Sequence, residues 1–300
     1  MPIHEADPWR LQYFTPHPCP ADVHIPTEDA DSWAWFPQHR WIYDKLRVAL
    51  SQGLPAAPHG VLPPAFPVFS KPITNLRGMG IESRPIATRA EYEATLTAGH
   101  FWMPLLTGEH VSSDAAVEQG RAAWWRHATG TPGPGGTFDR WTIHADPRPA
   151  LEQHCAAWIA QHLPGYTGMV NLETIGGTII EAHLRFADQW PDLYGEGWVP
   201  ALIRLYAEQR WTFADTHRQT GYSVVLFAPH ATYRHPPPET IAQAAALPGV
   251  TSVQITFHEG KPAHLHAMPP GGFRLAIVNC TDLEAGRAAR AMLAEVIIRK

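Results

Sequence analysis

Glu173, Glu181, His183 and Arg185 are the residues whose types and spacing best suit chemistry. They lie in the stretch from Met169 to Phe186, where two apolar, β-branched runs flank Gly176-Gly177. That pattern predicts a β-hairpin. Strand side chains alternate between faces, so Glu181, His183 and Arg185 share one face of the second strand, and Asn171 and Glu173 share one face of the first. Whether the two carboxylates meet depends on the turn. A strict two-residue turn pairs Glu173 with Ile180 and splits the carboxylates, whereas a three-residue loop, Gly176-Gly177-Thr178, pairs Glu173 with Glu181. Opposed carboxylates repel unless a cation lies between them. With a hard divalent ion there the hairpin becomes a metal–phosphate site, beside which Arg185 can clamp an oxyanion. The same pattern also describes an ordinary solvated hairpin face, on which Glu–Arg pairs contribute little.

Other elements must position these groups. Residues 1 to about 40 are rich in Pro, His and acid, show little periodicity and read as an extended arm. Residues 43–52 read as a short amphipathic helix closed by Gly53, with Lys45 in its first turn. Phe66 to Lys71 reads as a strand limited by Pro72. A lysine projecting from such a strand, Lys71, can meet a phosphate, and Gly78 and Gly80 in the following turn let backbone N–H groups approach its oxygens. Thr88 to Ala98 is a predicted helix with a Thr88…Glu91 capping box, and Gly99 to Val117 holds a strand, a linker and a second strand. Pro149 to His162 has apolar residues at helical spacing. Beyond the hairpin come a helix near 197–209, strands at 222–227, 250–257, 263–268 and 273–279, and a helix from Asp282. The mixture predicts an α+β fold with mostly antiparallel sheets.

The order of these features resembles the ATP-grasp superfamily, in which a Glu is followed, after a short hairpin, by Glu-x-Asn-x-Arg. Here Glu173 precedes Glu181-Ala182-His183-Leu184-Arg185, with His183 where the family has Asn. Phe66 to Pro72 with Gly78-Met79-Gly80 resembles the strand and phosphate-covering loop of the family's small lobe, and Asp44-Lys45 resembles its preceding helix start. Phe101 to His110 is similar to its inter-lobe linker, without the usual opening acidic residue. Gly165 to Gly168 resembles the lead-in to the hairpin. The likeness covers residues 43–186, and fainter similarity, in Gly271 to Leu275 and the last helix, extends to the biotin-carboxylase-like and purine-biosynthetic branch.

The resemblance implies ATP and Mg²⁺ or Mn²⁺ as cofactors. Glu173 and Glu181 would bridge the metal ions, with His183 a softer ligand that suits Mn²⁺ or Zn²⁺ better than Mg²⁺. Lys45 and Lys71 would hold phosphates, Trp102, Met103 and Leu105 would supply the adenine-binding main chain, and His110 or Glu109 would meet the ribose. Arg185 would stabilise the developing charge. The implied activity is ligation of a carboxylate to an amine. A nucleotide-binding relative without ligase activity, and a nucleotide-independent metal hydrolase or oxygenase, are the alternatives. The implied division is an arm and first helix (1–60), a small lobe (61–130) and a large lobe (131–300). The family usually opens with a Rossmann-like domain that some 40 irregular residues cannot form, so the acceptor site is expected either to be open or to be completed by a second copy or a partner chain.

Composition narrows the partners. With 45% hydrophobic and 17% charged residues among 300, the chain can bury a sizeable core. A net charge of −5, a pI near 6.4 and the lack of a basic run argue against nucleic acid. No apolar run is long enough to span a bilayer, and no basic start precedes an apolar stretch, so the expected location is the cytosol. Cys19, Cys155 and Cys280 are widely separated and suggest neither a zinc knuckle nor a disulfide framework. His264 and His266 would share a strand face and could begin a zinc site, though no third ligand is identifiable. The segment from Asp188 to Gly195 reads either as a wall of the acceptor pocket, with Asp188 or Tyr194 meeting an amine, or as a packed Trp/Pro loop.

Overall fold

A computed structural model describes residues 8–76, 80–266 and 268–299. The predicted turn residue Gly78 lies outside these. The fold is α+β, built on two antiparallel sheets. Strands β1 (Ala57–Pro58), β2 (Val68–Pro72), β3 (Arg84–Ile86) and β4 (His100–Pro104) form the smaller sheet in the order β1-β4-β2-β3. The larger sheet is formed by β5 (His110–Glu118), β6 (Arg121–Pro132), β7 (Phe138–Ile143), β8 (Gly168–Ile175), β9 (Thr178–His183), β10 (Gly221–Ala228), β11 (Val250–Ile255) and β12 (Phe273–Cys280). Its order is β11-β12-β10-β7-β6-β5-β8-β9. Pairing changes sheet between Pro104 and His110, so residues 110–132 belong to the larger sheet, not to the small lobe that the sequence extends to 130.

The arm is not irregular. It holds α1 (Pro8–Phe14), α2 (Asp29–Trp35) and a 3₁₀ turn, Pro37–Tyr43. The two helices are only seven residues long, too short for a 3.6-residue period to repeat in the sequence. α3 (Lys45–Ser51) starts where Asp44 accepts a hydrogen bond from the Arg47 N–H at 2.9 Å, so Asp44 is a helix cap. α3 runs beside the edge strand β9, and Gln52 exchanges bonds of 2.8 and 2.9 Å with the Ile179 carbonyl and N–H. That occupies backbone groups an edge would leave open. The remaining helices are α4 (Arg89–Ala94), α5 (Pro149–His162), α6 (Trp198–Glu208), α7 (Pro238–Ala245) and α8 (Leu283–Val296). Asp282 caps α8. The described residues 263–266 and 268 do not form the predicted strand: a 3₁₀ turn, Ala263–Leu265, leaves His264 exposed and His266 buried, so the two imidazoles share no strand face.

Two apolar clusters bracket the hairpin end of the larger sheet. On one side Cys155, Trp158 and Ile159 of α5 meet Val170, Leu172, Ile179 and Ala182. An aromatic cluster with Trp124, Trp141, Trp190 and Trp198 underlies the other side. No helix among the described residues is long and apolar enough to cross a membrane.

Candidate active site

The hairpin closes through a two-residue turn, with Ile175 opposite Thr178, yet Glu173 stands directly opposite Glu181. Neither predicted geometry is complete by itself. Gly176 and Gly177 have φ of 57° and 83°, as a type I′ turn requires. The register then shifts by one residue at Ile180, a β-bulge that restores the carboxylate pair. The bulge explains why Ile179 and Ala182, three residues apart, both face the core. It also turns the Ile180 carbonyl towards the smaller sheet, where Lys71 Nζ donates to it at 2.8 Å.

Across β9, β8 and β5 the register stacks two polar rows: Glu181, Glu173 and Ser112, then His183, Asn171 and Asp114. Lys45 Nζ lies 2.7 Å from Glu181 Oε1, with Lys71 Nζ at 3.9 Å from the same oxygen. Burial raises the cost of the Glu181 charge, but the two ammonium groups hold its carboxyl below the usual value. Burial likewise opposes the Glu173 charge, and the 3.0 Å bond from His110 Nε2, with the charges of His110 and Arg185, holds it at about 2. Lys71 is pushed down to about 8 by burial, against the pull of Glu181. His183 and Arg185 both turn to Asp29 at the start of α2. Nδ1 of His183 is 3.0 Å from Asp29 Oδ1, and Arg185 Nε donates to the same oxygen at 2.8 Å. Burial opposes both charges, yet each partner keeps the other ionised, Asp29 well below the carboxylate range and Arg185 above its ordinary value.

Apart from Lys45 and Asp114, which lie behind the wall, these groups line a cleft of about 350 Å³, whose walls come from both sheets, the arm and the C-terminal strands. Phe69, Lys71 and Gly80 belong to the small-sheet side, and Arg10, Thr27, Glu28 and Asp29 to the arm. Oxygen donors from two opposed carboxylates, with one imidazole nitrogen beside them, are a donor set that fits a divalent ion of the Mn²⁺ type. Among the described residues, no group of three or more His, Cys, Asp or Glu side chains is arranged to hold a metal ion.

No protein-family model matches the chain, and no curated protein matches at a significant level. Solved structures do. The L-amino acid ligase from Bacillus licheniformis superposes with a TM-score of 0.59 at 13% identity, over 87% of this chain and 73% of that one. N5-carboxyaminoimidazole ribonucleotide synthetase from Thermotoga maritima gives 0.58 at 13% identity, over 96% and 77%. The biotin carboxylase domain of the Hydrogenobacter thermophilus 2-oxoglutarate carboxylase, solved with MgADP and bicarbonate, gives 0.56 at 14% identity, over 87% and 67%. This is the ATP-grasp fold.

Within the ATP-grasp fold, Glu173, Glu181, His183, Arg185, Lys45 and Lys71 converge on one cluster, and His110 joins it through Glu173. Glu109 turns away and pairs with Arg148. Trp102 packs in the small-sheet core with Nε1 donating to the Val61 carbonyl at 2.7 Å, Met103 is buried, and Leu105 is 39% exposed. Asp188 lines the cleft, where it pairs with Arg10. Tyr194 is buried instead, its hydroxyl donating to Asp114 at 2.5 Å. Two residues escaped the sequence reading. Asp29 is 154 residues from His183 in the chain, and no local pattern connects them. Asp114, raised to about 6 by burial, accepts from Tyr194, the Ala187 N–H and Asn171, and so braces the second polar row. Its signal was register: Asn171 has a polar partner on the next strand.

Proposed function

We propose that the cleft binds ATP with divalent ions and uses it to join a carboxylate to an amine. The observation that carries this reading is the convergence of Lys45 and Lys71 on an opposed carboxylate pair, between the two sheets of an ATP-grasp fold. The ligase named among the similar structures supports the same reaction class. Lys45 and Lys71 exchange Glu181 for phosphate oxygens, so the lysines arrive already aimed. Glu173, Glu181 and His183 hold Mg²⁺ or Mn²⁺, which when bound neutralises phosphate charge. Main-chain groups near Trp102 to Leu105 receive the adenine, and His110 meets the ribose. Arg185, fixed by Asp29, supplies a permanent positive charge beside the reacting phosphate.

An oxygen of the substrate carboxylate attacks the γ-phosphorus, and ADP leaves as the bond to the bridging oxygen breaks. The amine nitrogen then attacks the acyl carbon, the acyl–oxygen bond breaks, and inorganic phosphate and one proton are released. Positioning and charge neutralisation suffice for both steps, so no covalent nucleophile is required. The arm residues on the cleft wall favour an acceptor site within one chain; a homodimer or partner chain is the alternative.

A second reading is nucleotide binding without ligation, favoured by the hold of Asp29 on Arg185. ADP release that depends on an added carboxylate supports ligation, and its absence across a carboxylate panel supports binding alone. A thermal-shift titration with ATP in Mg²⁺, Mn²⁺ and EDTA tests the site itself. Nucleotide at about a hundred times its Kd adds roughly 2.7 kcal/mol, a shift of a few degrees. No shift in any condition overturns the proposal, and an ion that binds tightly without nucleotide points to the hydrolase or oxygenase alternative.

A further inference from the structure

The side chain of His183 is 5% exposed. Its Nδ1 lies 3.0 and 3.1 Å from the two oxygens of Asp29. An ionised carboxylate only accepts, so Nδ1 carries the proton, and Nη2 of Arg185 at 3.4 Å, itself a donor, does not displace it. The other nitrogen, Nε2, is buried without a hydrogen-bond partner. It faces Glu181 Oε2 at 3.7 Å and Glu173 Oε1 at 4.0 Å, too far for hydrogen bonds. Two atoms that each bind one ion at about 2.1 Å stand roughly 3–4 Å apart, which is the separation found here. A buried polar nitrogen without a partner costs stability, and a shared cation removes that cost.

We propose that Asp29 orients His183 so that its Nε2 ligates the ion shared with Glu173 and Glu181, giving the nucleotide site a preference for Mn²⁺ over Mg²⁺. The inference rests on the nucleotide reading above. Imidazole is a better ligand for Mn²⁺ than for Mg²⁺, which dehydrates reluctantly and prefers oxygen. Asp29 is a positioning residue: it fixes the tautomer and ring plane, as carboxylates behind metal-bound histidines do. The phosphates complete the ligand set, because Lys45 and His110 occupy the carboxylates until an anion draws the lysine away.

The test uses the full chain with the methylene-bridged ATP analogue, which has no bridging nitrogen. Pulsed electron paramagnetic resonance of Mn²⁺ in that complex is expected to show a directly bound nitrogen that changes on ¹⁵N-histidine labelling and is lost in His183→Asn. Calorimetry is expected to give Mn²⁺ at least tenfold tighter than Mg²⁺, with His183→Asn removing most of that ratio. Asp29→Asn should weaken Mn²⁺ binding 10–100-fold and alter the nitrogen coupling of the bound ion. Analogue binding with no nitrogen coupling in the unmodified protein overturns the ligand assignment and leaves the nucleotide reading standing. Failure of the analogue to bind with any ion overturns both. The resonance measurement needs no variant, so a poorly folding Asp29 substitution does not shield the proposal.

Discussion

At the scale of single residues, the cleft holds charges out of their ordinary range, and the signs decide what pH does. Burial lowers Lys71 to about 8, so its charged form costs stability at neutral pH, and the cost is relieved as pH rises from about 8 towards the unfolded value. A polyphosphate that pairs with Lys71 reverses that shift. Affinity for the ATP analogue is therefore expected to fall as pH rises through about 8, with proton uptake on binding, seen by calorimetry in two buffers of different ionisation enthalpy. Flat affinity from pH 7 to 9.5 would remove Lys71 from the phosphate site. Glu173 and His110 behave oppositely to each other. The depressed Glu173 contributes stability above the ordinary carboxylate range that is lost as pH falls towards about 2. The raised His110 contributes stability that is fully present below the ordinary imidazole range and is lost as pH rises through its folded value. Their joint contribution thus peaks between about pH 4.5 and 6.5. The difference in urea midpoint between the unmodified protein and His110→Gln should be largest there and shrink on either side. Residue types made Glu173, Glu181, Lys71 and His110 legible in the sequence. Asp29 was illegible, because one acid in an acid-rich arm looks like its neighbours.

At the scale of elements, the site depends on one inserted residue. Without the bulge, the Gly176-Gly177 turn would pair Glu173 with Ile180 and place Glu181 on the opposite face. Inserting an alanine after Ile180 is expected to keep the hairpin but move Glu181 off its place opposite Glu173 and abolish the metal-dependent nucleotide shift, measured by thermal denaturation with the ATP analogue. A shift of full size in that insertion variant would show that the carboxylate pair does not hold the ion. The hairpin, α3, α5 and β12 were readable because their apolar periodicity is long or their caps are explicit. The bulge was not, since its register is set by the core positions of Ile179 and Ala182 rather than by local composition.

At the scale of the molecule, α2 and the segment just after β9 are joined by the Asp29–Arg185 pair, whose carboxylate is 4% exposed. Removing one partner of such a pair leaves a buried charge uncompensated, so Asp29→Ala is expected to cost about 3–5 kcal/mol. Adding Arg185→Met should recover much of the loss, as a double-mutant cycle by urea denaturation would read. Additive losses would show that the two side chains are not coupled. The passage between the sheets crosses another contact. A β-carbon on Gly108 would stand 2.8 Å from the Gly176 Cα, one on Gly176 would stand 2.5 Å from the Thr107 carbonyl oxygen, and the Gly176 N–H reaches the Glu109 carbonyl at 3.1 Å. In mechanical terms the two glycines form a bearing, bare backbone seated on bare backbone. The strut that carries the smaller sheet is pinned at the tip of the hairpin holding the carboxylates, so a load on that sheet is delivered to the hairpin rather than absorbed in slack loop.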